Sequence, residues 1–411
     1  MAFTSPTIAL ADVLRWRTDF PILQQPYAYL DNAASTQHPQ VVIEAMSELY
    51  EQYYANVHRG IHRWSEASTS KYEEARETVR RFVNAQSTNE IIFTAGCTAA
   101  INLVARSWGD ANVRAEDEIL VTEMEHHANI VPWHQLAART GCQVRFLPIT
   151  DNGLLRLDLL PQYVGPRTKL VAVTALSNVL GTLNPLREII AQAQAVGAKT
   201  LIDAAQSAPH EPTNVQQLDC DFLVFSGHKM LGPSGIGVLV GRETLLEAMP
   251  PFLGGGAMIN SVTTAGFTPA ELPNKFEAGT PPIAEVIGLG AAIEYLEKIG
   301  LANIHAYEQS LTQYAHECLA VIPGLRLLGP APAQKGGIVS FTLAGVHSHD
   351  IAQVLDHQGV AVRAGHHCAM PLHTRLGINS STRASFYFYN TPAEIDQLAL
   401  ALREVKRKFR A

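Results

Sequence analysis

Seven short apolar runs punctuate the middle of the chain: EIIFTA (90–95), EILVTEM (118–124), QVRFLPI (143–149), KLVAVTAL (169–176), KTLIDAA (199–205), DFLVFS (221–226) and GIGVLVG (235–241). Most are continuous rather than alternating, as in strands covered on both faces. Helix patterns lie between them, such as TAAINLVARSW (98–108) and LREIIAQAQAVG (186–197), the second closed by a glycine. This alternation predicts an α/β fold with a mostly parallel, seven-stranded sheet in a large domain. The Gly-, Pro- and Thr-rich segment 250–282 reads as a long loop, which in a compact domain is usually functional. A helix pattern follows at 283–300, then strand runs at 336–343 and 360–365, predicting a smaller α+β domain at the C-terminal end. The expected division is an arm at 1–30 packing with the small domain, a large domain at 31–285 and a small domain at 286–411.

Composition narrows the picture. The chain has 411 residues, 47% hydrophobic and 17% charged, enough for a large core. A net charge of −7 gives no whole-molecule case for nucleic acid or an anionic membrane as partner. The opening stretch MAFTSPTIALADVLRWRTDFPIL is broken by Asp12, Arg15, Arg17 and Asp19 and does not read as a signal peptide. No apolar run reaches the ~20 residues of a membrane span. Five cysteines, with no CxxC pair, point to a reducing compartment, and a cytoplasmic location is expected.

The chemistry gathers where the runs end. In open parallel sheets, ligands bind beyond the carboxyl ends of the strands. Five successive runs lead there into Gly96-Cys97-Thr98, His126-His127, Ser177-Asn178, Asp203 with Gln206, and Ser226-Gly227-His228-Lys229. Gly96 and Thr98 open a helix, which is either a plain cap or a phosphate seat. Asp203 needs a cationic partner, either a structural salt bridge or a protonated ring nitrogen. Lys229 is either a surface charge or a desolvated amine that captures an aldehyde. Cys368 follows Gly365 and two histidines, and a charged imidazole beside it would favour the thiolate. His366, His367 and Cys368 are adjacent and lack further ligands, so no metal site is expected.

The stretches YLDNAASTQHP, NVHRGIH, EHHANIVPWHQLA, SNVLGTLNP, DAAQSAPH, DFLVFSGHKMLGPSGIGVL, FEAGTPP and RAGHHCAMPL cover most of the chain. Together they resemble the group II (SufS/CsdA-like) pyridoxal-phosphate cysteine desulfurases of the class V aminotransferase superfamily. The resemblance implies a fold-type I enzyme with pyridoxal 5′-phosphate bound through Lys229. It implies that Asp203 pairs the pyridine nitrogen, that His126 stacks on the ring and acts as an acid/base, and that Gln206 donates to the ring oxygen. Thr98, Ser226 and His228 match the phosphate cup, with Thr280 reaching over from the other subunit of a homodimer. Asn178 and Arg383 match the binders of the substrate carboxylate, and Arg363 and His58 lie in further active-site stretches. The chain departs from the family pattern around residue 95, where Ala95, Cys97 and Ala99 stand for an Arg, a Thr and a Glu.

The implied reaction converts L-cysteine to L-alanine. Cys368 takes the sulfur as a persulfide and passes it to an acceptor protein of the SufE or SufU type, for iron–sulfur cluster assembly. L-selenocysteine is an alternative substrate. An aminotransferase or kynureninase-like enzyme and a non-catalytic scaffold of the same fold are the other readings.

Overall fold

The computed structural model describes residues 8–409. All seven apolar runs form strands: β1 (Ile91–Thr94), β2 (Glu118–Thr122), β3 (Gln143–Leu147), β4 (Thr168–Thr174), β5 (Lys199–Asp203), β6 (Phe222–Ser226) and β7 (Gly237–Gly241). They make one sheet in the order β1-β7-β6-β5-β4-β2-β3. β7 runs antiparallel to both of its neighbours, and every other pairing is parallel. The α/β reading and the mostly parallel sheet are therefore borne out. Every residue of β2, β6 and β7 is buried, which is why these runs carry no polar alternation.

A second sheet is built from β10 (Leu325–Leu328), β11 (Ile338–Leu343), β12 (Arg363–Gly365) and β13 (Ser381–Ser385), in the antiparallel order β10-β11-β13-β12. The helices Ile283–Ile299 and Leu301–Ala320 lead into it. Of the arm expected at 1–30, residues 1–7 lie outside the described residues. The rest forms a helix at Leu10–Arg17 and a short parallel pairing of Ala28–Tyr29 with Val360–Ala361. Phe20 packs on Tyr389 with ring centroids 4.8 Å apart, and Arg17 Nη1 donates to Glu394 Oε1 at 3.0 Å.

Segment 250–282 is not wholly loop. It contains a hairpin, β8 (Ile259–Thr263) and β9 (Gly266–Pro269), which stands in solvent. With neither face packed on a core, the hairpin has no burial pattern to read, although Val262 and Phe267 face each other across it.

Candidate active site

The carboxyl ends of β2, β4, β5 and β6 meet the edge of the second sheet at a cleft of about 290 Å³. Thr98, His126, Asn178, Asp203, Gln206, Ser226, His228 and Lys229 line it from the large sheet. Arg363, Cys368 and Arg383 line it from the small one. Parallel strands place their ends on one rim, so residues more than a hundred positions apart arrive together.

Lys229 sits just beyond β6, in the short helical turn Gly227–Lys229. Desolvation holds its ammonium below the ordinary value of 10.5, against the opposing charge of Asp203. Asp203 ends β5 and is 4% exposed. Desolvation pushes its carboxyl up, while the Ala205 N–H, donating to Oδ1 at 3.0 Å, stabilises the charge. Cys97 Sγ donates to the same oxygen at 3.4 Å.

Gly96 has a φ of 141°, a value that side chains resist, and it starts the helix Cys97–Val104. The Cys97 N–H donates to Ser226 Oγ at 2.8 Å, which ties the end of β6 to this helix start beside Thr98. Gln206 spends one amide hydrogen on Ala33 O at 2.7 Å, leaving its second for the cleft.

His126 caps its own turn by accepting from the Ala128 N–H at 3.0 Å. Burial, with Lys229 adding, takes its pKa down to about 3, so the ring is neutral. His228 falls to about 4 for the same two causes. Behind His126, burial raises Glu125 to about 8. Glu125 accepts from Thr122 Oγ1 (2.7 Å), the Thr174 N–H (3.0 Å) and Asn129 Nδ2 (2.8 Å), which locks the turn carrying His126 to β2 and β4.

Arg383 is 2% exposed on β13. Its Nη1 donates to Asn178 O at 2.8 Å and its Nη2 to Asp31 Oδ1 at 3.2 Å, while Nε has no partner. Asn178 Nδ2 in turn donates to His367 O at 2.6 Å. Cys368 is exposed at the mouth of the cleft. Its loop is pinned by His127, whose N–H donates to Cys368 O at 2.7 Å and whose Nε2 accepts the Met370 N–H at 3.0 Å.

The idea of a charged imidazole beside the thiol needs correcting at His367. Burial takes its pKa down to about 2, and its Nε2 turns to Ser381, 3.0 Å from Oγ. This neutral ring braces the small sheet. His58 and Thr280 are not brought to the cleft within one chain. They line a separate cavity of about 620 Å³ beside the β8–β9 hairpin, where His58 Nε2 lies 2.8 Å from Glu73 Oε1. Asp31 and Glu125 were missed by sequence reasoning. Both sit inside quoted motifs (YLDNAAST and EHHAN), and Glu125 directly follows the run EILVTEM, but nothing in the local sequence shows the distant groups that each carboxylate holds.

Residues 28–398 match the family model for aminotransferase class-V. A probable cysteine desulfurase of Streptomyces coelicolor is 52% identical, covering 97% of this chain and 98% of its own. The chain belongs to the class-V aminotransferase family. Among solved members, the cysteine desulfurase CsdA (S-sulfonic acid) of Escherichia coli superimposes with a TM-score of 0.91 at 41% identity, covering 97% of this chain and 99% of its own. A Lys-to-Ala mutant of C-DES, with glycine covalently linked to its PLP cofactor, matches with a TM-score of 0.82 at 26% identity, over 94% of this chain and 98% of its own. No helix among the described residues is long and apolar enough to cross a membrane.

Proposed function

We propose that this class-V protein is a pyridoxal-phosphate-dependent cysteine desulfurase that converts L-cysteine to L-alanine and takes the sulfur as a persulfide on Cys368. The observation that carries this is the convergence of a desolvated Lys229 amine, a buried Asp203 carboxylate and an exposed Cys368 thiol on one cleft.

The donor set fits the coenzyme. Lys229 suits its aldehyde, and Asp203 its ring nitrogen. Gln206 has a spare N–H for the ring oxygen, and Thr98, Ser226 and His228 gather where a phosphate would rest. Pyridoxal phosphate, when bound, supplies an aldehyde that condenses with amines and a protonated ring that draws electrons from the adjacent carbon.

The protein's own part follows. Arg383, with Asn178 beside it, holds the substrate carboxylate. Desolvation loosens the hold of Lys229 on its own proton and so favours the free amine, and Lys229 moves the proton on the substrate α-carbon. His126 is the acid/base group beside the cleft; its Nδ1 already accepts from the Ala128 N–H, so the neutral ring carries its proton on Nε2. The Cys368 thiolate attacks the substrate sulfur. The S–S bond forms as the C–S bond breaks, the C–S electron pair passes to carbon, and that carbon is protonated. L-Cysteine and the Cys368 thiol thus become L-alanine and the Cys368 persulfide, with no external oxidant.

Thr280 and His58 complete the site from the partner in a two-fold homodimer, which accounts for their separation from the cleft in one chain. The persulfide passes to an acceptor protein of the SufE or SufU type in the cytoplasm, for iron–sulfur cluster assembly. The test measures alanine and sulfide from L-cysteine, with and without a small sulfur-acceptor protein, and runs L-selenocysteine alongside. Lys229→Ala should lose the absorbance of chain-bound coenzyme. Cys368→Ala should keep it and lose sulfide release from L-cysteine. Unchanged absorbance in the first variant, or undiminished sulfide in the second, overturns the assignment.

A further inference from the structure

Arg383 offers a planar fork on its Nε–Nη2 side, the geometry that takes a carboxylate with two parallel hydrogen bonds. Half of that fork is filled from within the chain, because Nη2 donates to Asp31 Oδ1 at 3.2 Å. The other half, Nε, is buried and without a partner. Asp31 is shared: its Oδ2 accepts from Arg363 Nε at 3.0 Å. Arg363 and Arg383 are register partners on β12 and β13, so two guanidinium groups stand side by side, an arrangement that needs an anion. Asp31 supplies it, held in place by a bridge to Ser385 on β13.

We propose that Asp31 is a positioning residue that acts as an internal counter-ion, occupying the Arg383 fork until the substrate carboxylate takes Nε and Nη2. On arrival of that carboxylate, Asp31 Oδ1 releases Nη2 while Oδ2 stays on Arg363. Asp31 thereby holds the arginine pair in register and competes with the ligand for one of its two contacts. This rests on the reading of Arg383 as the carboxylate binder.

Competition has a sign that structural damage does not share. Removing a competitor tightens carboxylate binding, whereas loosening the site weakens it. The probes are L-alanine and L-alaninamide, which share an amine but differ in the carboxylate. Each is titrated into coenzyme-loaded enzyme and followed by coenzyme absorbance. The quantity read is the ratio of the two dissociation constants, alaninamide over alanine. In Asp31→Asn and Asp31→Ser this ratio should rise by roughly tenfold, the effect of one unit charge removed near the fork in a partly screened site. In Asp31→Glu, which keeps the charge, the ratio should stay near that of the wild type. A ratio that falls or does not move in both neutral variants overturns the proposal. A wild-type ratio near one overturns the assignment of Arg383 itself, so the two failures are distinguishable.

Discussion

Replacing Glu277 by glutamine removes one charge from a buried ion pair while keeping its volume, and the structure sets the expected cost. Arg76, fully buried in the helix Arg63–Val83, donates through Nη1 and Nη2 to Glu277 Oε1 and Oε2, both at 2.8 Å. Glu277 accepts two further bonds, from the Phe93 N–H on β1 at 2.8 Å and from Tyr72 Oη at 3.1 Å. A glutamine has one acceptor oxygen, so one pair of these four donors must face an amide nitrogen. Breaking one side of a buried ion pair costs about 3–5 kcal/mol. With an unfolding entropy of about 2.1 cal/mol/K per residue, 411 residues give about 0.9 kcal/mol/K, so the melting temperature should drop by roughly 4–6 °C. The assay is thermal unfolding of wild type, Arg76→Met, Glu277→Gln and the double variant, at one protein concentration. The double variant should lose less than the two single losses combined, because the Arg76–Glu277 interaction is lost only once and Glu277 is no longer left without its guanidinium; in Glu277→Gln itself Arg76 keeps Glu73 Oε2 at 3.0 Å. A Glu277→Gln melting point within about 1 °C of wild type, or strictly additive losses, would refute the reasoning.

Acid should destabilise the fold through its buried neutral histidines. His126, His228 and His367 have folded pKa values of about 3, 4 and 2, each lowered first by desolvation from 6.5. The unfolded chain takes up their protons below about 6.5 and the folded chain does not, so their contribution is intact above that pH and lost as the pH falls toward 4. Melting temperature should fall as the pH is lowered through that window, less steeply in His126→Gln, and a flat profile for the wild type counts against it. Cys97→Ala deletes one of the two donors to Asp203 Oδ1, and coenzyme affinity should weaken about fivefold for the ~1 kcal/mol of one hydrogen bond. Cys97→Thr, which restores a donor, should recover most of that affinity, measured by coenzyme dissociation; equal loss in both variants removes the role.

The central sheet was legible because its strands, the edge strand β3 apart, are mostly buried on both faces, and an uninterrupted apolar run is the local signature of that burial. The large-sheet wall of the cleft was legible for the same reason, since its polar residues stand at or just after the ends of those runs, whereas Arg363, Cys368 and Arg383 follow none of them. β13 was not recognised as a strand. Its sequence STRAS is polar, yet Ser381, Thr382, Arg383 and Ser385 are all 2% exposed or less. A strand that delivers an arginine to a buried cleft surrounds it with hydroxyls, and that composition reads as loop. The hairpin β8–β9 failed in the opposite way, because strands with two exposed faces leave no periodicity. Asp31 belongs to neither case. Its importance arises from pairing with residues more than 300 positions away, which only the tertiary structure brings together.

His367 and Cys368 both adopt left-handed backbone conformations, with φ of 50° and 56°. Non-glycine residues pay roughly 1–2 kcal/mol each for that geometry, so the tether to His127 must hold them there. The thiol is therefore mounted on a tight crook and not on a swinging arm. Whatever collects sulfur from it has to make the approach itself, with a reactive group slim enough to reach the mouth of the cleft.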